Sequence, residues 1–409
     1  MSTGAIYHKS LRNHERWISL DESMQGKISD MALRGIRVIE MAGLAPAPFC
    51  GMVLSDFGAK VIRIDRTKNP PDTDRLGRGK KSVAVDLKQK KGIEVVKKLC
   101  SGADVLIEPF RPGVMEKLGL GPETLMVDNP GLVYARLTGY GQKGSLSHRA
   151  GHDINYIATS GVLSTLGRKH ENPCAPVNLL GDFAGGGLMC ALGVVLALFE
   201  RTRSGRGQVV DANMVQGSAY VSNFLWAMKD TFVWGAERGE NLLDTGSPFY
   251  ETYKTADGKF MSVGALEPQF YAALLKGLQL DPDKVSQYGD RKEMKKIFTD
   301  IFLSKTRDEW TEAFRDLDAC VEPILDMDEA PLHPHNQTNN TFLKNPRGGY
   351  EAGPAPGLSR TPGVSTLEPQ PVIGQHTLEV LQDAGYSQED IRSLVDAGAV
   401  EQTSTSSKL

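Results

Sequence analysis

The sequence predicts an α/β fold, with a large parallel-sheet domain and a smaller α+β domain. Short β-type runs alternate with helical patterns from Gly35 to Gly141. Helical segments dominate from about Leu180 to Met228, and a hairpin pattern near Tyr250 opens a second unit. Strands that alternate with helices indicate a parallel sheet, because each helix carries the chain back across the sheet.

The first part of the chain carries five predicted strands and three predicted helices. The strand patterns lie at 36–41, 60–65, 82–87, 103–108 and 132–138, and the helical patterns at 46–57, 92–100 and 112–118. The turn after the first strand reads AGLAPAPFCG, which is not the G-x-G-x-x-G pattern, and no P-loop occurs. A nicotinamide or flavin dinucleotide is therefore not expected at this turn.

The rest of the chain predicts an apolar helix, a hairpin and amphipathic helices. The longest apolar run, 188–199, has twelve residues, whereas a bilayer span needs about 20, so it predicts a buried core helix and no membrane span. Ala256-Asp257-Gly258 joins two strand patterns as a hairpin turn. Further helices are predicted at 269–278, 292–303, 308–317, 374–383 and from Ser387, where Asp390 completes a capping pattern.

These patterns divide the chain into parts. Residues 331–371 contain eight of the 22 prolines, a composition that buries little apolar surface and indicates a connector. The predicted parts are an N-terminal extension expected to be disordered (1–30), a large domain (31–230 and 372–400), a small domain (231–330), the connector (331–371) and a C-terminal tail (401–409).

Composition excludes several classes of function. The chain has 47 Lys and Arg against 50 Asp and Glu, a net charge of −3, so it shows no electrostatic footprint for nucleic acid or an anionic membrane. Its five cysteines are widely spaced and form no CxxC pattern. We therefore expect no disulfide framework and no zinc site, as in a reducing compartment.

Both ends of the chain have sequences to compare with known targeting signals. The last three residues, Ser407-Lys408-Leu409, match the peroxisomal import tripeptide and follow a polar stretch that leaves them accessible to an import receptor. The first 30 residues lack a continuous apolar run, so a secretory signal is not expected. Their basic residues are mixed with acids, which favours a disordered extension but leaves a mitochondrial fraction open.

Three polar motifs are candidates for catalysis. His152 in GHDINY is a residue type that works as a base near neutral pH, although a single histidine is more often structural. Asp182 in GDFAGGG is placed to cap the apolar helix, where backbone N–H groups could also stabilise an oxyanion. Glu267 precedes Pro268 at a predicted helix start, where a capping or solvated glutamate is the simpler interpretation.

Basic residues form a second candidate set. Several of them follow predicted strand ends, the edge at which open α/β sheets bind ligands. As a group they could contact the phosphates of a nucleotide-like ligand. They are Arg63, Arg66, Arg78, Lys80, Lys81, Arg111 and Lys117.

Taken together, the motifs resemble those of the family III CoA-transferase superfamily and, within it, of the α-methylacyl-CoA racemase branch. The similarity runs from about Met31 to Arg392. The motifs that carry it include LRGIRVIEMAGLAPAPFCG, EPFRPGVMEKLGLGP, YARLTGYGQ, AGHDINYIATSG, NLLGDFAGGG and GALEPQFY.

The resemblance implies a fold and a set of site residues. It implies a Rossmann-like, CoA-binding large domain, an interlocked homodimer, and no cofactor besides the coenzyme A of the substrate. His152 and Asp182 correspond to the acid/base pair, and Glu267 to the residue that orients the histidine, in its own or the partner chain's site. The implied contacts to coenzyme A are Arg66, Val85, Arg111, Lys117, Gly151 and Tyr156.

The implied function is epimerisation of 2-methyl-branched acyl-CoA thioesters by 1,1-proton transfer through an enolate. Branched-chain fatty acyl groups are the expected substrates, with sterol side chains as a further candidate. Two alternatives remain open, namely a CoA-transferase that uses Asp182 as its nucleophile and a non-catalytic acyl-CoA-binding protein. The presence of His152 together with Glu267 favours the racemase, because transferases usually lack a titrating histidine there.

Overall fold

The computed structural model describes residues 31–68, 74–345, 347–365 and 370–403. The predicted N-terminal extension and the import tripeptide lie outside these residues. The strands are β1 (Arg37–Met41), β2 (Lys60–Asp65), β3 (Lys80–Val85), β4 (Val105–Glu108), β5 (Val133–Thr138), β6 (Val209–Asn213), β7 (Tyr250–Lys254), β8 (Phe260–Gly264), β9 (Val321–Pro323), β10 (Phe342–Lys344), β11 (Tyr350–Ala352) and β12 (Val400–Glu401).

The α-helices follow the same chain order. They are α1 (Pro46–Asp56), α2 (Lys90–Ser101), α3 (Val114–Lys117), α4 (Pro122–Asp128), α5 (Asp153–Thr159), α6 (Met189–Ser204), α7 (Met214–Val221), α8 (Asn223–Met228), α9 (Pro268–Gly277), α10 (Arg291–Phe302), α11 (Arg307–Phe314), α12 (Pro334–Thr338), α13 (Thr377–Asp383) and α14 (Gln388–Asp396). A π-helical segment, Leu179–Leu188, precedes α6.

The chain forms two compact units. The first unit contains the described parts of Met1–Ala150, Asp182–Met214 and Leu343–Leu409, and the second contains Gly151–Gly181 and Val215–Phe342. The predicted large domain differs from the first unit because it includes residues 151–181 and 215–230 and leaves out 343–371, which were assigned to the connector. The predicted domain boundaries stay a prediction.

The first unit is built on a seven-stranded sheet with the order β12-β3-β2-β1-β4-β5-β6. The six strands β1 to β6 are all parallel to their neighbours in this sheet. The seventh strand, β12, pairs with β3 and is antiparallel to it. The order 3-2-1-4-5-6 is that of a doubly wound α/β sheet, so the predicted fold class is confirmed. β6 was not predicted, because its short run VVDAN lies inside a region dominated by helical patterns.

The core of the first unit lies between this sheet and its helices. The central strands are buried along nearly their whole length, as is usual for parallel sheets covered on both faces. Helices from both ends of the chain contribute side chains to one continuous cluster. These side chains include Val95, Val96, Leu99, Leu125, Val380, Leu381, Ile391 and Leu394.

The long apolar helix α6 is only half buried, which corrects the prediction of a buried core helix. Its buried side chains are Cys190, Ala191, Val194, Ala197 and Leu198, on the side that packs against β5 and β6. Its other side exposes Leu192, Val195, Leu196 and Phe199, and together with the exposed Leu188 just before the helix we call these residues the α6 stripe. Among the described residues, one helical run, Leu179–Ser204 with 26 residues, is long and apolar enough to cross a membrane by length and composition alone.

The second unit pairs a three-stranded antiparallel sheet, in the order β7-β8-β9, with α9, α10 and α11. The predicted hairpin is confirmed, with Gly258 at φ +80° in the turn between β7 and β8. The core of this unit is aromatic. Trp310 is 1 % exposed, donates its indole N–H to the Phe302 carbonyl at 2.8 Å and packs against Phe314.

Candidate active site

The strand order of the first unit reverses between β1 and β4, which makes their carboxyl ends the expected ligand edge of the sheet. The loops that leave these two strands lie in close contact. A Cβ on Gly43, after β1, would come within 2.5 Å of Pro109 Cγ, after β4. Glycine is therefore required for the two loops to approach each other at this edge.

Two predicted contacts to coenzyme A, Arg111 and Lys117, follow β4 directly. Arg111 is exposed and donates to the His148 carbonyl at 3.2 Å, and Lys117 is exposed at the end of α3. Both are attached to a buried network, because Glu108, the last residue of β4, binds Arg136, and Arg136 also binds Glu116 of α3. Two accessible cations therefore lie at the expected ligand edge, in a segment that the buried ion pairs connect to the sheet.

The other two predicted contacts in the first unit differ in accessibility. Arg66 is exposed immediately after β2, at the same edge of the sheet. Val85 ends β3, but its side chain is 1 % exposed and belongs to the hydrophobic core. Its backbone is also engaged, because Val85 pairs with Val400 of β12. The contact of Val85 with coenzyme A stays a prediction, and among the four predicted contacts in this unit its side chain is the least accessible.

Four of the basic residues predicted as anion contacts form ion pairs with acids of this chain. Lys80 is buried and binds Glu40 at 2.8 Å, and Arg63 is buried and binds Asp65 at 2.8 Å. Arg78 binds Asp56 and Lys81 binds Glu379. The expectation is wrong for Lys80 and Arg63, because their cations are buried where a ligand phosphate could not reach them. The sequence shows where a basic residue lies in the chain, but it does not show which acid the folded protein pairs with it.

In the second unit, His152 occupies the N-cap position of α5. Its backbone is extended, and its N–H donates to Asn155 Oδ1 at 3.1 Å, which fixes the start of the helix. His152 itself is exposed, so its ring is accessible at the surface of this unit. Gly151 and Tyr156, two predicted contacts to coenzyme A, hydrogen-bond to each other through the Tyr156 hydroxyl and the Gly151 carbonyl.

Asp153, which the sequence analysis did not single out, holds this helix start in place. It is 3 % exposed, and its Oδ2 accepts the N–H of Gly181 at 2.5 Å. A Cβ on Gly181 would lie 2.6 Å from the same oxygen, so glycine is required there. Asp153, which follows His152, is therefore hydrogen-bonded to Gly181, which precedes Asp182. An acid in the first turn of a helix, next to a candidate catalytic histidine, was the available signal.

Asp182 lies in the first turn of the π-helical segment Leu179–Leu188. π-helical geometry is rare and often marks functional sites. The glycines after Asp182 allow close packing, since a Cβ on Gly187 would lie 2.7 Å from the Pro46 carbonyl oxygen and 2.8 Å from Phe49. Phe183 adds an edge-to-face contact with Phe49 at 5.1 Å. The segment that carries Asp182 is thus packed firmly against α1.

Glu267 is exposed at the N-cap position of α9, before Pro268. Its carboxylate makes no capping hydrogen bond with the helix, so of the two simpler interpretations the capping one is wrong and the solvated one agrees with its exposure. It lies near Cys320, whose thiol pKa is raised by partial burial and by the acids Asp318, Glu267 and Glu322. Glu267 is therefore an accessible carboxylate that no structural role in α9 explains.

The predicted site residues are divided between the two units. The first unit carries Arg66, Val85, Arg111, Lys117 and Asp182, and the second carries Gly151, His152, Tyr156 and Glu267. Within the described residues, no cluster of three or more histidine, cysteine or acidic side chains has the geometry of a metal site. The first unit offers the Asp182 carboxylate, backbone N–H groups and exposed cations for an anionic ligand, and the second unit offers a histidine and the Glu267 carboxylate.

Comparisons with known proteins agree on one family. The model of "CoA-transferase family III" matches residues 33–377. "Alpha-methylacyl-CoA racemase" of Mus musculus is 57 % identical over 89 % of this chain and 96 % of its own length. The protein of the same name from Homo sapiens is 55 % identical with the same coverage of each chain. A crystal structure of Rv3272 from M. tuberculosis is similar with a TM-score of 0.70 and 27 % identity, over 85 % of this chain and 98 % of its own.

Proposed function

Because the chain belongs to CoA-transferase family III, we propose that it binds an acyl-CoA thioester and epimerises the α-carbon of the acyl group. The observation that carries this proposal is the 57 % identity, over 89 % of the chain, to a racemase of acyl-CoA. The protein is thus an isomerase. The reacting carbon is next to the thioester carbonyl, and the reaction needs only removal and return of one proton.

The chemistry assigns a role to each candidate residue. One member of the pair His152 and Asp182 takes the α-proton, and the electrons of the C–H bond move to the thioester oxygen to form an enolate. The other member then returns a proton to the opposite face of the planar carbon. Glu267 stabilises the charged form of His152, as the third member of a catalytic triad does.

Enolate stabilisation is the main demand on the enzyme. Backbone N–H groups at the start of the helical segment that contains Asp182 are proposed donors to the enolate oxygen. One such donor contributes typically ~3–4 kcal/mol to the transition state. The close packing of Gly187 and Phe183 against α1 supports this role, because a preorganised donor does not have to be reoriented during the reaction.

Coenzyme A is proposed to bind at the carboxyl edge of the sheet in the first unit. Arg66, Arg111 and Lys117 are exposed at this edge, where they can meet the phosphates. Gly151 and Tyr156 are proposed to contact the remainder of the coenzyme. No further cofactor is needed for the proposed chemistry, since proton transfer involves neither a change of oxidation state nor transfer of a group.

The acyl group is proposed to be an apolar 2-methyl-branched chain, from a branched fatty acid or a sterol side chain. We further propose peroxisomal delivery through Ser407, Lys408 and Leu409, the C-terminal tripeptide that peroxisomal import receptors recognise. Imaging of a full-length chain with an N-terminal fluorescent tag tests this. Tagged protein that remains outside peroxisomes, or an unchanged location after removal of Leu409, would contradict it.

A homodimer is also proposed, with a second copy of the chain packed on the α6 stripe. The exposed residues of the stripe recur at a spacing of three and four positions, so they form one continuous apolar face along the helix. An apolar face of this kind on a protein surface usually marks an interface. The proposed occupant is a second copy because most soluble oligomers are symmetric homo-oligomers.

The first prediction tests the reaction itself. The purified protein is incubated in D2O with one epimer of a 2-methylacyl-CoA and no acceptor acid. We expect uptake of one α-deuterium, measured by mass, together with both epimers, measured by chiral chromatography. His152→Ala and Asp182→Ala should each lower the exchange rate by about 10²- to 10⁴-fold, the usual contribution of a general acid or base.

His335→Ala is the matched control, because His335 is exposed on α12 and has no place in the proposed site. It should leave exchange unchanged. Near-normal exchange in either site variant would contradict the assigned roles. Wild-type protein that shows no exchange, but moves CoA from a thioester to a free acid, would instead be a transferase with Asp182 as its nucleophile. Binding with neither reaction would indicate a non-catalytic acyl-CoA-binding protein.

A further inference from the structure

Glu108 stands out among the buried ionisable groups because of its position. It is the last residue of β4, at the point where the strand order reverses, and it is 0 % exposed. Its two carboxylate oxygens have different donors. Oε2 accepts the N–H of Phe110 at 2.8 Å, and Oε1 accepts Arg136 Nε at 2.8 Å. One carboxylate thus joins its own following loop to the neighbouring strand.

Arg136 extends this connection to α3. It lies opposite Glu108 in the register of β4 and β5 and is 7 % exposed. Its Nη1 donates to Glu116 Oε1 at 2.7 Å, on the helix that follows the loop. Glu108 and Arg136 therefore form a buried ion pair that supports the segment 109–117 from below.

The two exposed cations of this segment, Arg111 and Lys117, are proposed contacts to coenzyme A. Arg111 is three residues after Glu108, and Lys117 follows Glu116 directly. We propose that Glu108 is a positioning residue that holds Arg111 and Lys117 in their binding geometry, so that its ionisation controls the affinity for coenzyme A. This inference rests on the proposed function only in its choice of ligand.

The ionisation of Glu108 falls in a physiological range. Burial raises its pKa to about 7, although the Phe110 N–H and the charge of Arg136 act in the opposite direction. The charged and titratable groups that face it are Arg136 and Tyr134 from β5 and Glu116 from α3. Burial is the largest single effect on Glu116 and disfavours its ionisation, but the hydrogen bond from Arg136, the charge of Arg136 and backbone hydrogen bonds together lower the pKa of Glu116. Glu116 therefore stays charged while Glu108 titrates.

The direction of the effect follows from the hydrogen bonds. Above pH 7 the carboxylate accepts from both donors and the loop is held. As the pH falls below 7, one oxygen becomes an O–H group that faces an N–H donor, and one of the two bonds is lost. Affinity for coenzyme A should therefore fall as the pH decreases from 8 to 6.

The second prediction measures this by calorimetric titration. The ligand is 3′-dephospho-CoA, because the 3′-phosphate monoester of coenzyme A itself titrates near pH 6. For the wild type, Kd should rise by up to about tenfold from pH 8 to pH 6, the change in ionised fraction for one group with a pKa near 7. Glu108→Gln should bind more weakly at pH 8, show a flat pH profile, and raise KM for α-exchange with kcat nearly unchanged.

Two further variants make the test specific. Glu108→Asp keeps a titrating carboxylate that is too short to reach both donors, so it should bind weakly but retain a pH slope. Glu94→Gln, the same change at an exposed position of α2, should behave as the wild type. A wild-type slope in Glu108→Gln, or a loss confined to kcat, would overturn the inference. Absence of exchange with pH-dependent CoA binding would reject the racemase but not the role of Glu108.

Discussion

At the scale of single residues, the carboxylate of Asp153 holds the helix start beside the candidate catalytic histidine in place. It is 3 % exposed and accepts the N–H of Gly181. The third prediction is that Asp153→Ala lowers the free energy of unfolding by about 1–3 kcal/mol, because it leaves a buried donor without its acceptor. It should also lower kcat for α-exchange. Chemical denaturation and the D2O assay measure the two effects.

Asp153→Asn is the matched control for this prediction. Its side-chain carbonyl can still accept from Gly181, so most of the stability and activity should be retained. If the alanine and asparagine variants lose the same stability, the hydrogen bond to Gly181 is not what matters at this position.

The residues of the site were accessible to sequence analysis to different degrees. His152, Asp182 and Glu267 were identified from their motifs, and their catalytic roles stay predictions. The partners of Asp153 and Glu108 were not predictable, because each lies 28 positions away in the chain. Likewise, nothing local distinguishes the buried cation of Lys80 from the exposed cation of Arg66.

At the scale of elements, the packing of the π-helical segment on α1 depends on Gly187. The fourth prediction is that Gly187→Ala lowers the free energy of unfolding by about 1–3 kcal/mol, the usual cost of overpacking, because the new methyl group would meet the Pro46 carbonyl and the Phe49 ring. Gly357→Ala is the control, since a Cβ there would meet nothing within 4 Å. Equal effects of the two substitutions on the unfolding midpoint would contradict this account.

Local patterns predicted most elements correctly. β1 to β5, the hairpin of β7 and β8, and α9 to α11 lie within a few residues of their predicted positions. Three short edge strands, β6, β9 and β12, were missed, because pairing with a neighbour rather than their own composition makes them strands. The predicted connector, 331–371, contains α12, β10 and β11, which are too short for periodicity to reveal.

At the scale of the whole molecule, the α6 stripe predicts the assembly state. The fifth prediction is that the wild type sediments with about twice the chain mass of 44.6 kDa. The double variant Leu192→Asp, Leu196→Asp should sediment as a monomer, because two charges would have to be buried at the interface. Val127→Asp changes an exposed apolar residue of α4 and should leave the dimer intact. A dimer that survives the double substitution would place the interface elsewhere.

The pairing of β12 with β3 has a consequence for synthesis on the ribosome. The two strands are about 300 residues apart in the chain, yet Val400 pairs with Val85 and its side chain belongs to the same core. While the intervening residues are being translated, the outer edge of β3 has no partner, and an open strand edge invites pairing with other chains. The nascent chain therefore stays vulnerable to aggregation through most of its translation, and chaperones that shelter its amino-terminal part matter most in that interval.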